Sequence, residues 1–327
     1  MHDQADQLRK LVRASVQADA TLAPGCPVVA ISGAQPAVGV TTIACGLARE
    51  LARLGKQVLL IDANLNNPRI TPHLKQTQTT SSADSPAQTG PGPRGTLSDV
   101  LTGKRRAVEV LTPTAEEGVT LLAGAPPACR GSAVAGGLAP HRTPPPLNRE
   151  ALDRFAAETA ALSRQVDVVL IDAGAGMNAW IDRLWQLAHQ VLLVSTSSPQ
   201  SLLDAYTAVK LAQFQLHDGK IRLLTNGAAD QDEAAPLAAR FEETCQRFLF
   251  ITPKPAMSLP TYTDRPANSR SPQRQHGRDD FPRAVRLLAA DLAGDFRVAA
   301  LRLVRPKSNG LHSSRQISEQ EGFSQRR

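Results

Sequence analysis

Val28–Thr42 reads VVAISGAQPAVGVTT, and the fold turns on it. Val28 to Ile31 are consecutive apolar residues, the pattern of a buried strand. Ser32 to Gly39 follow as a turn-rich loop, and Thr41 and Thr42 open an amphipathic helix with Ile43, Leu47, Leu51 and Leu54 at helical spacing. A strand, a glycine-containing loop and a helix N-terminus build an anion site: successive backbone N–H groups and the helix dipole point at phosphate, and a threonine hydroxyl can reach Mg2+. Gln57–Ile61 is the next predicted strand and ends in Asp62, which completes a βαβ unit with an acid at the carboxyl edge of the sheet.

The loop departs from the phosphate-binding pattern in its charge. The P-loop needs G-K-[ST], and here Gly39 is followed by Val40. Losing one charged partner of a buried ion pair costs roughly 2–5 kcal/mol, about 30- to several-thousand-fold in affinity. Pro36 offers no N–H, and Ala37 takes φ > 0 less cheaply than glycine. The frame is kept while much of its positive charge is gone.

Composition bounds the rest. The chain has 327 residues, 42% hydrophobic but only 4% aromatic, so aliphatic and alanine packing must fill the core. A formal charge of +7 permits contact with nucleic acid or anionic lipid. No apolar run approaches the ~18 residues that would span a bilayer. The first ten residues, MHDQADQLRK, lack the hydrophobic centre of a signal peptide, and a cytoplasmic protein is expected. Cys26, Cys45, Cys129 and Cys245 are scattered without C-x-x-C spacing, which argues against zinc and for a reducing compartment.

Outward from the loop, Asp3 can cap a helix of about 15 residues, marginal alone. Its Ala5, Leu8, Leu11, Val12 and Val16 share one face. Two readings stay open: the helix packs back on its own domain, or it is a detachable peptide that folds on a partner. After Asp62 the segment Ala63–Pro68 (ANLNNP) occupies the place of a first switch. Residues 76–95 and 125–146 read as disordered insertions, with a short helix at Thr96–Leu101 and a strand at Val119–Leu122 between them. A helix is expected over Arg149–Arg164. Val166–Asp172 (VDVVLID) is a buried strand ending in an aspartate, as a Walker B strand and second switch would, and that carboxylate can hold Mg2+ through water. Gln190–Ser195 and Ile221–Thr225 are further strands, and Ser201–Leu216, Pro236–Phe248 and Phe281–Leu303 further helices. Repeated βα units without hairpin signals imply a doubly wound, mainly parallel sheet in a three-layer αβα domain over residues 27–305. Residues 1–26 form the leading helix and linker, and 306–327 a disordered tail. Between Arg265 and Arg286 six arginines lie among Ser, Pro and Gln, a solvated loop or a contact for lipid or DNA backbone.

These motifs resemble the MinD/ParA (SIMIBI-type) group of P-loop ATPases, and within it flagellar-number regulators of the FlhG/FleN, YlxH-like kind. Asp3-Gln4-Ala5 with Leu8-Arg9 is similar to that family's DQA-x-x-LR activator helix. The resemblance implies that Asp3, Gln4, Leu8 and Arg9 bind an FlhF-like GTPase, with the glutamine reaching toward the nucleotide. Ile171–Gly176 (IDAGAG) is similar to the family's second switch, and Thr196–Ser201 with Asp204-Ala205-Tyr206 to its DAY segment. Asn226 falls where the family's adenine-reading asparagine sits. The resemblance thus implies ATP or ADP with Mg2+, held by Gly39, Val40, Thr41, Thr42, Asp62, Asp172 and Asn226, with Thr41 and Asp172 on the metal. It also implies a homodimer and peripheral contact with the inner membrane. Gln35 and Val40 stand where the family carries its two loop lysines, Pro36-Ala37 replace glycines, and Asn64 replaces a water-orienting aspartate. Lysine loss is similar to CpaE-like pilus-placement proteins.

Three functions are expected in order. The first is a flagellar regulator that acts on a GTPase through its leading helix, with weak or absent ATPase of its own. The second is a working MinD/ParA-type ATPase of spatial organisation. The third is a nucleotide-free scaffold on acidic lipid or DNA.

Overall fold

The computed structural model describes residues 25–71, 73–74, 95–124, 147–228, 231–262 and 273–304. The leading helix with Asp3, Gln4, Leu8 and Arg9, the segments 76–94 and 125–146, Cys129, Arg265, Arg270 and the tail lie outside the described residues.

β1 (Val28–Gly33) leads through the loop into α1 (Val40–Arg53), and β2 (Val58–Asp62) follows. Next come α2 (Leu97–Leu101), a 3-10 turn (Ala107–Val110), β3 (Thr112–Pro113) and β4 (Val119–Leu122). α3 (Arg149–Leu162), β5 (Val168–Ala175), α4 (Ala179–Leu187), β6 (Gln190–Ser195) and α5 (Pro199–Leu211) continue the alternation. β7 (Ile221–Asn226), α6 (Gln231–Thr244), a π turn (Cys245–Leu249), β8 (Lys254–Leu259) and α7 (Gln273–Val304) complete it.

One eight-stranded sheet results, in the order β3-β4-β2-β5-β1-β6-β7-β8. Every pairing is parallel except β3 with β4. Helices cover both faces, as a parallel sheet requires. One core cluster includes Leu97, Phe155, Trp180, Trp185, Val209 and Phe241 from α2 to α6. The other joins Ile43, Leu47 and Leu51 of α1 to Phe281, Val285, Leu288 and Leu292 of α7. The apolar face of α7 is therefore core. β1 lies centrally, so the loop after it opens at the carboxyl edge where such sheets bind ligands.

Several expectations need correction. Leu54 is 46% exposed and closes α1 as its C-cap, outside the buried stripe. α5 starts earlier than Ser201, because Pro199 suits the first turn and Ser198 caps it by accepting from Ser201 N at 3.1 Å. The chain leaves α5 after Leu211 for a 3-10 turn, so the helix does not reach Leu216. α6 begins at Gln231, with Pro236 inside it, and ends at Thr244 in the π turn. α3 stops at Leu162, two residues short. β3 is an antiparallel edge that carried no hairpin signal. α4 and β8 complete the sheet and its cover without having been expected.

Candidate functional site

Ala37 and Gly39 set the loop's shape, at φ 63° and 97°. Both are left-handed, so the turn that glycines favour persists with an alanine in it. We expect Ala37→Gly to stabilise the protein by about 0.5–1 kcal/mol, read as a higher urea midpoint at unchanged m-value. A lower midpoint would mean that the loop does not hold this turn in solution.

Gly39 is also a contact glycine, since a Cβ there would lie 2.3 Å from Asn226 Nδ2. No side chain caps α1, and its first intrahelical bond is Ile43 N to Gly39 O at 3.0 Å. The backbone N–H groups of Val40, Thr41 and Thr42 precede that bond and are available to an anion.

The two lysine positions have been turned inward. Val40 is 6% exposed and belongs to the core cluster with Val38 and Ile31. A Cβ on Gly33 would meet Val38 Cγ2 at 2.9 Å and Val40 Cγ2 at 3.0 Å, so valine methyls pack beneath the loop. Gln35 Nε2 donates to Asp204 Oδ2 of α5 at 2.5 Å, and Gln200 Nε2 to Asp204 Oδ1 at 3.0 Å. The loop is thus fastened to α5 by the neutral amide of Gln35, on a carboxylate that Gln200 of the same helix also holds.

Asp62 and Asp172 sit side by side on β2 and β5. Thr41 Oγ1 donates to Asp172 Oδ2 at 2.6 Å, and Gly174 N to Asp172 Oδ1 at 3.0 Å. Burial raises the Asp172 pKa, partly offset by those two hydrogen bonds. Ile70 N donates to Asp62 Oδ2 at 3.0 Å, while Oδ1 is buried with no hydrogen-bond partner among the described residues. Burial, then the charge of Asp172, pushes Asp62 up to about 7. No lysine or arginine side-chain charge figures among the groups that shift either carboxylate.

This donor set fits Mg2+. The paired acids gain from a divalent cation, the Thr41 hydroxyl adjoins them, and an Asp62 oxygen lacks a partner. Among the described residues no cluster of three or more His, Cys, Asp or Glu could hold a metal. Phosphate oxygens and water would have to complete the shell. When bound, Mg2+ would supply charge neutralisation at phosphate. Thr41 and Asp172 would hold it, with Asp62 alongside.

Asn226 Nδ2 donates to Val38 O at 2.8 Å, and its Oδ1 is buried with no partner among the described residues. A cleft of about 420 Å³, lined by Ala228, Ser258, Pro260 and Arg283 among others, begins two residues beyond it. Gly39, Val40, Thr41, Thr42, Asp62, Asp172 and Asn226 therefore all gather at one end of the sheet, while Gln4 and its neighbours lie outside the described residues.

Two connections were missed from sequence. The Trp180 indole N–H of α4 donates to Ala63 O at 2.8 Å, tying that helix to the segment after β2. Asn64 lies over Gly174, where a Cβ would approach its side chain to 2.7 Å. Asn178, which caps α4 by accepting from Trp180 N and Ile181 N, was the available signal for that helix.

Elsewhere the expectations fare unevenly. Cys26, Cys45 and Cys245 are free and buried, their thiols pushed up by desolvation. Within the arginine-rich stretch, Arg286 is paired with Glu50, 3.0 Å from Nε to the carboxylate. No helix among the described residues is long and apolar enough to cross a membrane.

No family model matches the chain. It is 28% identical over 224 residues to the antiactivator FleN of Pseudomonas aeruginosa, covering 68% of this chain and 70% of that protein. A 62-residue stretch is 36% identical to the flagellum site-determining protein YlxH of Helicobacter pylori, 19% of this chain and 21% of that protein. The septum site-determining protein MinD of Pyrococcus horikoshii, solved as a complex with Mg-ADP, shares the fold. Its TM-score is 0.52 at 17% identity, over 85% of this chain and 98% of that one. Sheet order, loop and strand-end acids define a P-loop protein. The fold is that of the MinD/ParA-type P-loop proteins, and in sequence the chain is similar to the flagellar proteins FleN and YlxH.

Proposed function

We propose that the chain is a MinD/ParA-like regulator of flagellar number or placement that acts on an FlhF-like GTPase through its leading helix. Its own ATPase is weak or absent. The observation that carries the second half is Val40: the residue at the lysine position is buried beneath the loop and brings no charge to phosphate. The similarity to FleN supports the first half. In this reading Gln4 enters the partner's site in trans and positions water, as other GTPase activators do, while Leu8 and Leu11 anchor the helix in a groove.

The test is GTP turnover by the matching GTPase with a peptide of residues 1–20. The peptide should stimulate turnover, and Gln4→Ala should cut the stimulation by roughly tenfold or more. An inert peptide, or equal stimulation by both, removes this mechanism.

One observation favours a second reading, a MinD/ParA-type ATPase of spatial organisation. Asp62 and Asp172 form a buried acid pair that no described cation neutralises, as a site built for Mg2+ would. In that case a cation from a second subunit replaces the lysine. Calorimetry with Mg-ATP separates the two, since binding weaker than millimolar leaves no room for an ATPase at cellular nucleotide levels.

A further inference from the structure

From the loop end of α5 down to the π turn at its foot, the chain presents an apolar face. Leu203 is 57% exposed, Leu211 64%, Phe214 45%, Phe248 58% and Phe250 48%. Leu203, Thr207 and Leu211 follow one side of α5 at i, i+4 and i+8, and Phe214 lies in the turn just beyond. α5 packs against both α6 and the π turn, which brings Phe248 to the same foot. Three of the chain's eight phenylalanines are spent here, in a protein with few aromatics. The backbone that presents them is unusual: a π turn followed by Phe250 at φ 53°. Bulky residues seldom adopt that conformation, and exposed apolar clusters of this kind mark interaction surfaces.

We infer that this face is the docking site of the chain's own leading helix, residues 3–16. The path of the chain supports that occupant. Gly25 N donates to Ser163 Oγ at 2.7 Å, at the end of α3, and Cys26 joins the core cluster shared with α5 and α6. The chain therefore approaches β1 at the sheet's lower edge and on the side that α5 covers. His189 N at the start of β6 bonds to Val28 O, and β7 is the next strand over. The foot of α5 is thus about 10 Å along the sheet and about 10 Å up to the helix layer. Residues 17–24 reach roughly 26 Å when extended, enough to set the helix down there without strain. The aliphatic stripe Ala5, Leu8, Leu11, Val12 and Val16 matches an aromatic and leucine face. Asp3 and Asp6 of the segment would bring negative charge to Lys210 and Arg247, which adjoin Leu211 and Phe248 in the chain. A tether this short makes the contact intramolecular, at millimolar effective concentration.

Docking hides Leu8 and Leu11, the residues that anchor the helix in a partner's groove. The chain then holds its activator in store until a partner competes for it. That regulatory meaning rests on the proposed activator role, whereas the docking does not.

The experiment is limited trypsin digestion of the full chain, following cleavage after Arg9, Lys10 and Arg13 by mass spectrometry. The peptide of residues 1–20 sets the unprotected rate. The wild-type chain should be cleaved at least about tenfold more slowly than the peptide. Leu211→Glu with Phe248→Glu should restore the peptide's rate without changing the melting temperature, both positions being exposed. Cleavage of the wild type at the peptide's rate, or a variant as protected as the wild type, overturns the inference. Protection that grows with protein concentration alongside a dimer in ultracentrifugation also overturns it, assigning the face to a second copy. A peptide inert toward the GTPase, with tethered protection intact, sinks the activator role and upholds the docking.

Discussion

Val40→Lys should tighten Mg-ATP binding by at least about 30-fold, the lower end of what a buried charged partner contributes. The backbone to receive the charge is already in place. Gly39 and Ala37 hold the left-handed turns, the first-turn N–H groups of α1 precede its first helical bond, and Thr41 stands on Asp172. What this position lacks is the ammonium that would meet the β and γ phosphates. The cost falls on packing, since a valine buried against Val38 and Gly33 is lost, at about 1–2 kcal/mol of stability. Titration calorimetry of both proteins in the same buffer gives the ratio. Micromolar binding by the wild type, unchanged in the variant, would show that another cation serves the loop and would favour the ATPase reading.

Asp62→Asn is expected to raise the melting temperature at pH 8 by roughly 5–10 °C, an effect of several kcal/mol. The unfolded carboxyl titrates near its ordinary 3.8, whereas in the fold burial and Asp172 lift it to about 7. Between those values the folded state keeps a proton that the unfolded state has released, so the acid's contribution to stability falls as pH rises. Above about 7 both states are ionised and the penalty is constant at its largest. The gap between variant and wild type should therefore open between about pH 4 and 7 and stay level beyond. Added Mg2+ should narrow it at pH 8 by neutralising the wild-type pair. Asparagine keeps the acceptor for Ile70 N and offers its amide toward Asp172, so the fold survives the change. A gap that stays flat from pH 4 to 8 would mean that Asp62 is not raised.

Much of this architecture is legible in the residues. Continuous apolar runs at Val28–Ile31 and Val168–Ile171 announce strands buried on both faces, and their strand-end residues fix the site's location. β8 escaped because it is an edge strand, half exposed and containing Pro255, so it shows neither a clean run nor clean alternation. β3 is two residues long, too short for any period. The Gln35–Asp204 bond joins residues 169 apart, and no local pattern encodes such a pairing. The loop residues could be chosen from motif spacing. That Val40 turns under the loop, and that Asp62 lacks a neutralising partner, are properties of packing and appear only once the strands are assembled.

The fastening of Gln35 and Gln200 to Asp204, with the valines beneath the loop, has a wider consequence. The contour of the cradle is maintained by bonds inside the chain, so it persists with no anion within it. Outline and charge are then inherited separately: substitutions can erase the second while selection on folding alone preserves the first.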